Sequence, residues 1–260
     1  PDGGVEDFAG AEPGRRWELV QGTGKAVAWV PPARPAALSP SVLEEHRPPA
    51  RSRTFLASRI PLMRLTAADA EGKPLSLDGS TTGAPLLINL WSSTCKSCTA
   101  ELRELVRCAP DLQAAGLRIR ALNVEKAAGA DPERTRRFLA DLAWPFDSGF
   151  ADQALVDRLE LLETTLFTRL RPVALPTSLL VDAEGRLAAW YRGPVEVGAL
   201  LEDLRHLGDD APSRLARALP FPGRWNLLRM EYPFRKLADQ AYVGGAIEDA
   251  ERLYRHAIRD

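Results

Sequence analysis

Leu86 to Trp91 forms a continuous apolar run that leads, within four residues, into Cys95-Lys96-Ser97-Cys98. A run of this length without polar alternation predicts a strand buried on both faces, and such a strand belongs to a sheet covered by helices on two sides. The residues after the cysteines supply one of those helices: Leu102, Leu105, Val106 and Ala109 lie on one stripe over Ala100 to Ala109. Leu117 to Val124 returns to strand. Asp131-Pro132 then opens a helix to Leu142, with Asp as its cap and Pro at the first helical position. Gln153 to Leu170 is a longer helical stretch, and Val197 to Leu207 reads as an amphipathic helix. Two hairpins are predicted. One has arms Ile60 to Leu65 and Lys73 to Leu77 around Asp69-Ala70-Glu71-Gly72; the other has arms Ser178 to Asp182 and Arg186 to Tyr191 around Asp182-Ala183-Glu184-Gly185. Together these elements predict an α/β fold with a mixed sheet flanked by helices.

Composition divides the chain into three parts. Residues 1–53 carry strand-like runs at Val5 to Phe8 and Arg16 to Val20. Pro31, Pro32, Pro35, Pro40, Pro48 and Pro49 follow, and proline can continue neither a helix nor a central strand, so this stretch reads as a linker or arm. Residues 54–207 hold the α/β pattern. Residues 208–260 are helical after a joint at Leu219-Pro220-Phe221-Pro222-Gly223. There Leu237, Ala238, Gly245, Ala250, Tyr254 and Ala257 have a spacing that resembles one tetratricopeptide unit. A single unit cannot bury its own face, so either an array continues or the pair docks on the main domain. The 34 Lys and Arg nearly balance 35 Asp and Glu, leaving a net charge of −1, which argues against a nucleic-acid partner. No apolar run approaches the roughly 20 residues that span a bilayer. The chain opens at Pro1 without an initiator Met or a signal peptide, as expected of a mature product or an excised piece.

With three cysteines, Cys95, Cys98 and Cys108, the fold must be held by burial rather than by disulfide staples. Cys95 is placed where unpaired backbone N–H groups and the positive helix end favour a thiolate, and Cys98 follows one turn later. A Cys-x-x-Cys pair in this setting can carry a depressed thiol pKa, with Cys95 as the attacking thiolate and Cys98 as the resolving thiol. Structural zinc would need about four ligands, and no second pair is present. A copper carrier would want a nearby His, whereas His46, His206 and His256 lie in the linker and late helices. No metal and no cofactor is expected. Cys108 falls about 15 Å further along the same helix and reads as a small core residue.

Leu86 to Glu104 resembles the active-site segment of thioredoxin-fold thiol-disulfide oxidoreductases, closest to the extracytoplasmic TlpA/ResA-like branch. Leu175-Pro176-Thr177 matches a second element of that family. The resemblance implies a thioredoxin-like fold over about residues 58–207 and a cis peptide bond at Pro176, which would lie against the cysteines and help hold an extended substrate segment. It further implies that Glu101, three residues after Cys98, tunes the thiols, and that Trp91, Leu175, Pro176 and Thr177 bind substrate. The stretch from Gln153 to Val173 is longer than the family's compact form and is placed to cover or reshape the substrate groove. The buried acid of ordinary thioredoxins has a weak candidate in Asp78. A peroxiredoxin-like site would carry proline where Ile88 stands, although Ser92 fits it. Asp2-Gly3-Gly4-Val5 with Arg16 to Val20 resembles the end of an ASPIC/UnbV-type module, which implies a longer multidomain parent whose neighbouring domains are possible partners.

These readings imply a thiol-disulfide oxidoreductase that exchanges electrons with a protein disulfide or dithiol substrate and with a redox partner protein, preferably as a reductant, outside the cytoplasm. A non-catalytic protein-binding module on the same scaffold is the alternative, because a fold does not fix a function.

Overall fold

The computed structural model describes residues 17–19, 26–28, 52–63, 65–69, 71–77, 83–125, 132–167, 173–218 and 234–259. The chain divides into two units, residues 1–49 and 50–260. In the first, β1 (Trp17–Leu19) and β2 (Ala26–Ala28) pair antiparallel. β1 falls within the expected run Arg16 to Val20; Val5 to Phe8, Asp78 and Asp131 lie outside the described residues.

The second unit is built on an eight-stranded mixed sheet whose order is β3 (Ser52–Pro61), β10 (Arg186–Arg192), β9 (Thr177–Val181), β6 (Leu86–Trp91), β7 (Arg118–Asn123), β8 (Asp147–Phe150), β4 (Thr66–Asp69) and β5 (Pro74–Ser76). Its centre is β6 (Leu86–Trp91), parallel to β7 (Arg118–Asn123) and antiparallel to β9 (Thr177–Val181). All six residues of β6 are buried, five of them apolar and the sixth Asn89. The strand period of two divides them between the sheet's faces. Leu86, Ile88 and Leu90 enter one core; Leu87 and Trp91 enter the other. The second face is covered by α1 (Lys96–Arg107), α2 (Ala109–Ala114) and α3 (Pro132–Asp141), the first supplying Cys98, Leu102 and Leu105 to the core. The first face is covered by α4 (Gln153–Phe167) through Leu155, Leu159 and Leu162. Each such side chain contributes roughly 1.5–3 kcal/mol of burial free energy.

β10 (Arg186–Arg192) pairs with β9 on one side and β3 (Ser52–Pro61) on the other. Asp182 organises the β9–β10 turn: its carboxylate accepts from the Glu184 and Arg186 N–H groups and pairs with the buried Arg59. α5 (Val197–Arg205) closes the second core with Val197 and Leu200, and α6 (Ala211–Ala218) packs beside β3, where Arg214 donates to the Ala57 carbonyl. Finally, α7 (Phe234–Val243) and α8 (Ile247–Arg259) form a helical hairpin. Phe234, Leu237, Ala238, Ala241, Ala250 and Leu253 enter the same core as α4. The helical pair is thus docked on the sheet unit.

The structure corrects three local expectations. The first hairpin is made by β4 (Thr66–Asp69) and β5 (Pro74–Ser76), not by Ile60 to Leu65. Ile60 belongs to β3, which ends at Pro61, and Leu62, Met63 and Leu65 are buried in the connection, so the apolar character of those three reflects burial beneath the sheet rather than strand pairing. The helix after the cysteines breaks at Cys108, because Pro110 has no N–H to offer the turn before it and clashes with that turn's carbonyl. β8 (Asp147–Phe150) is a strand the sequence did not announce. It joins β7 to β4, and a Cβ at Gly149 would stand 2.4 Å from the Ala68 carbonyl oxygen. Gly149→Ala must therefore push β4 from β8; the expected cost is about 2 kcal/mol, read as a lowered urea midpoint with an unchanged denaturant slope.

Candidate active site

Cys95 stands at the junction of β6 and α1, where it is the N-cap of the helix in extended backbone conformation. It forms a disulfide with Cys98 (S–S 2.06 Å), and the Cys98 N–H points at Cys95 Sγ at 3.2 Å. No acidic residue stands in the first turn of α1, so nothing there offsets the positive helix end. The two sulfurs have unequal surroundings. Cys95 is half-buried, with Ser97 Oγ 3.3 Å from its sulfur, whereas Cys98 is fully buried among Leu102, Leu105 and Trp91. One sulfur is open to attack from outside and the other only to Cys95.

Glu101 lies one turn beyond Cys98 on the same buried face. Asn89 has the parity of Leu87 and Trp91, so it points from β6 toward α1, and its Nδ2 donates both to Glu101 Oε2 and to Ser178 Oγ, each at 2.9 Å. The Val195 N–H donates to Glu101 Oε1 at 2.6 Å. Burial pushes the Glu101 carboxyl up to about 7, against those hydrogen bonds, which lower it. A carboxyl in this range exchanges a proton near neutral pH.

The Leu175–Pro176 peptide bond is cis. Thr177 pairs with Leu90 in the β6–β9 register, which carries Leu175 and Pro176 toward the cysteine end of β6. The Gly193 N–H donates to the Pro176 carbonyl (2.9 Å) and Thr177 Oγ1 to the Ala174 carbonyl (2.7 Å). Leu175 is half-buried and, like Cys95, packs against the second core, while Thr177 is fully buried. Trp91 is also fully buried and meets Phe138 with ring centroids 5.4 Å apart. It underlies the cysteine loop and presents no surface to a substrate. The structure thus brings together Cys95, Cys98, Glu101, Leu175 and Pro176, with Trp91 beneath them.

Glu125 was not visible as a site residue from the sequence. Its Oε1 accepts from Ser92 Oγ (2.9 Å) and Ser93 Oγ (3.0 Å), and its Oε2 from Asn123 Nδ2 (3.0 Å). Burial acts to raise this carboxyl, but the hydrogen bonds from Asn123, Ser92 and Ser93 outweigh it and hold it below the ordinary value. Ser92 Oγ also accepts from the Thr94 N–H, so the turn into Cys95 is tied to a fixed anion at the end of β7. The signal available beforehand was weak: a Ser-Ser pair before the cysteines, with no local sequence link to a carboxylate more than 30 residues on. Among the described residues, no group of three or more His, Cys, Asp and Glu side chains is arranged to hold a metal.

Comparison with known proteins adds three findings. The sequence pattern of the AhpC/TSA family matches residues 57–190, just over half of the chain. The thiol:disulfide interchange protein DsbE of Escherichia coli is 24% identical over 153 residues, covering 59% of this chain and 74% of that protein. Among solved structures, a secreted thiol-disulfide isomerase from Corynebacterium glutamicum aligns with TM-score 0.49 at 19% identity, over 61% of this chain and 93% of that one. A DsbF homologue from Corynebacterium diphtheriae aligns with TM-score 0.48 at 17% identity, over 62% and 97%.

Proposed function

The chain belongs to the AhpC/TSA family, and from that membership together with its cysteine pair we infer that the protein is a thiol-disulfide oxidoreductase acting on protein disulfides. The observation that carries this reading is the asymmetric pair: an accessible Cys95 at a helix N-terminus bonded to a buried Cys98. In the reductive direction, the Cys95 thiolate attacks a substrate disulfide, forming a mixed disulfide and releasing one substrate thiolate, which takes up a proton. Cys98, losing its proton, then attacks Cys95 Sγ. The second substrate thiolate leaves and is protonated, and the Cys95–Cys98 disulfide is restored. Two electrons and two protons pass to the substrate. In this reading Glu101 tunes Cys98 and takes part in its proton exchange, and Leu175 and Pro176 hold an extended substrate segment, their place fixed by the fully buried Thr177.

The reductive direction, a separate redox partner protein and an extracytoplasmic workplace are parts of the same proposal. They rest on the resemblance to the TlpA/ResA-like branch and on the acid at Glu101. Among the described residues no helix is long and apolar enough to cross a membrane. A longer parent protein and a tetratricopeptide character for α7 and α8 are also proposals, the latter supported by the close packing of Ala238, Ala241 and Ala250.

The test is a titration against defined thiol-disulfide buffers, with free thiols alkylated and each cysteine read by mass spectrometry. Cys95 and Cys98 are expected to titrate together as one two-electron couple while Cys108 stays reduced. Absence of a Cys95–Cys98 disulfide at every poise would overturn the reading. A midpoint near that of strong oxidants, about −120 mV, would reverse the direction.

A further inference from the structure

We propose that Glu163 and Arg192 are positioning residues for substrate selection, through which α4 clamps the Leu175–Thr177 ledge; this rests on the disulfide-exchange reading above. Arg192 ends β10 with the parity of Trp190, so it points toward α4, while its backbone is in register with Thr177 directly after the cis-proline. Both Nε and Nη2 of its guanidinium contact Glu163 Oε1. Glu163 is 2% exposed, and among the described residues its second oxygen has no hydrogen-bond partner. A carboxylate so enclosed, satisfied on one oxygen alone, depends on its cation to stay where it is.

Two further contacts from α4 reach the same place. Glu160 Oε1 accepts from the Val173 N–H at 3.3 Å, two residues before Leu175. The Phe167 ring lies 5.1 Å below the Arg192 guanidinium and meets Trp190 edge-on at 5.8 Å. The residue after Arg192, Gly193, donates to the Pro176 carbonyl. α4 therefore fixes the ledge from both of its ends: Glu160 at Val173, and Glu163 through Arg192 at Thr177. Among the described residues Glu160, Glu163 and Arg192 bond to one another and to the ledge, not to Cys95, Cys98 or Glu101. Their effect falls on where a substrate segment lies, and the chemistry of the thiols is left alone. The long stretch before the cis-proline thereby acquires a role in choosing among protein disulfides.

The experiment uses the full chain carrying Glu163→Gln, Arg192→Lys or Glu160→Ala, with insulin as the protein disulfide and dithiothreitol as the small dithiol. The expected result for Glu163→Gln and Arg192→Lys is a KM for insulin raised about tenfold with kcat held within about twofold. The reduction potential and the rate of Cys95–Cys98 reduction by dithiothreitol stay unchanged. Glu160→Ala, a half-exposed position making one hydrogen bond to the ledge, shifts KM the same way by about threefold and serves if the buried variants fail to fold. An unchanged KM in folded variants overturns the proposal, as does a potential that moves with it, because the pair would then act on the thiols. If dithiothreitol finds no Cys95–Cys98 disulfide to reduce in the unsubstituted protein, the disulfide-exchange reading fails, and this inference with it; if that bond is reduced but insulin is never turned over, the selection of protein disulfides proposed here is overturned while the exchange reading stands.

Discussion

Cys98→Ser is expected to bring turnover of a protein disulfide to background and to leave the protein covalently joined to its substrate through Cys95. The half-exposed sulfur still attacks, but the buried group that should displace the substrate is now a hydroxyl, which does not attack a disulfide at neutral pH. Ser is close to Cys in size, so the packing among Leu102, Leu105 and Trp91 is retained. Non-reducing mass spectrometry checks this: a stoichiometric adduct that maps to Cys95 and dissolves in dithiothreitol. Cys95→Ser should yield neither turnover nor adduct. An adduct on Cys108, or turnover by Cys98→Ser at the level of the unsubstituted protein, would refute the assignment of attacking and resolving sulfurs.

A second large effect is expected from Glu101. An ordinary glutamate in the unfolded chain ionises near 4.5, while burial holds the folded one at about 7. Between those values the unfolded state has lost a proton that the native state retains, so stability falls as pH rises. Below pH 4.5 the contribution is fully present; by pH 8 it has been lost, and the separation corresponds to about 3 kcal/mol. Glu101→Gln removes the titrating group. Its amide also brings N–H donors to a site that already receives hydrogen bonds from Asn89 and Val195, a pH-independent penalty of about 1–3 kcal/mol. The variant is therefore less stable at pH 4.5 but lacks the decline toward pH 8. Urea unfolding of the oxidised protein at several pH values checks this, and parallel stability–pH curves for the two proteins would count against it.

Much of the sheet and of the site chemistry was legible because each rests on local pattern. Leu86 to Trp91 is a strand to the residue, since burial on both faces leaves a run apolar at every position but Asn89. Cys95 as the helix N-cap followed from its place between strand and helix, and the cis bond at Pro176 from a family resemblance that the geometry matches. What escaped rests on distant side-chain meetings. Asn89 looked like part of an apolar run, and only the face shared with α1 gives it Glu101 as a partner. Glu125 and Glu163 were two of many surface-like acids until the fold enclosed them with Ser92 and Arg192. β8 was missed because its four residues, Asp147-Ser148-Gly149-Phe150, carry no alternation, and neighbouring backbones decide its pairing. Trp91 was expected at the substrate surface because of its place before the cysteines; strand parity turns it into the core instead.

The helix break at Cys108 bears on how the chain acquires its disulfide. Three thiols allow three pairings, and two of them involve Cys108. That residue sits at the far end of α1, about 15 Å along the axis from Cys98, beyond the roughly 7 Å between Cα atoms that a disulfide tolerates. A disulfide from Cys108 to either of the other thiols is therefore incompatible with a wound α1. The native pair closes within the first turn and lets the helix form, which encloses Cys108 where burial pushes its thiol up and thiolate becomes scarce. The wound helix therefore admits only the Cys95–Cys98 pairing and keeps the third thiol enclosed.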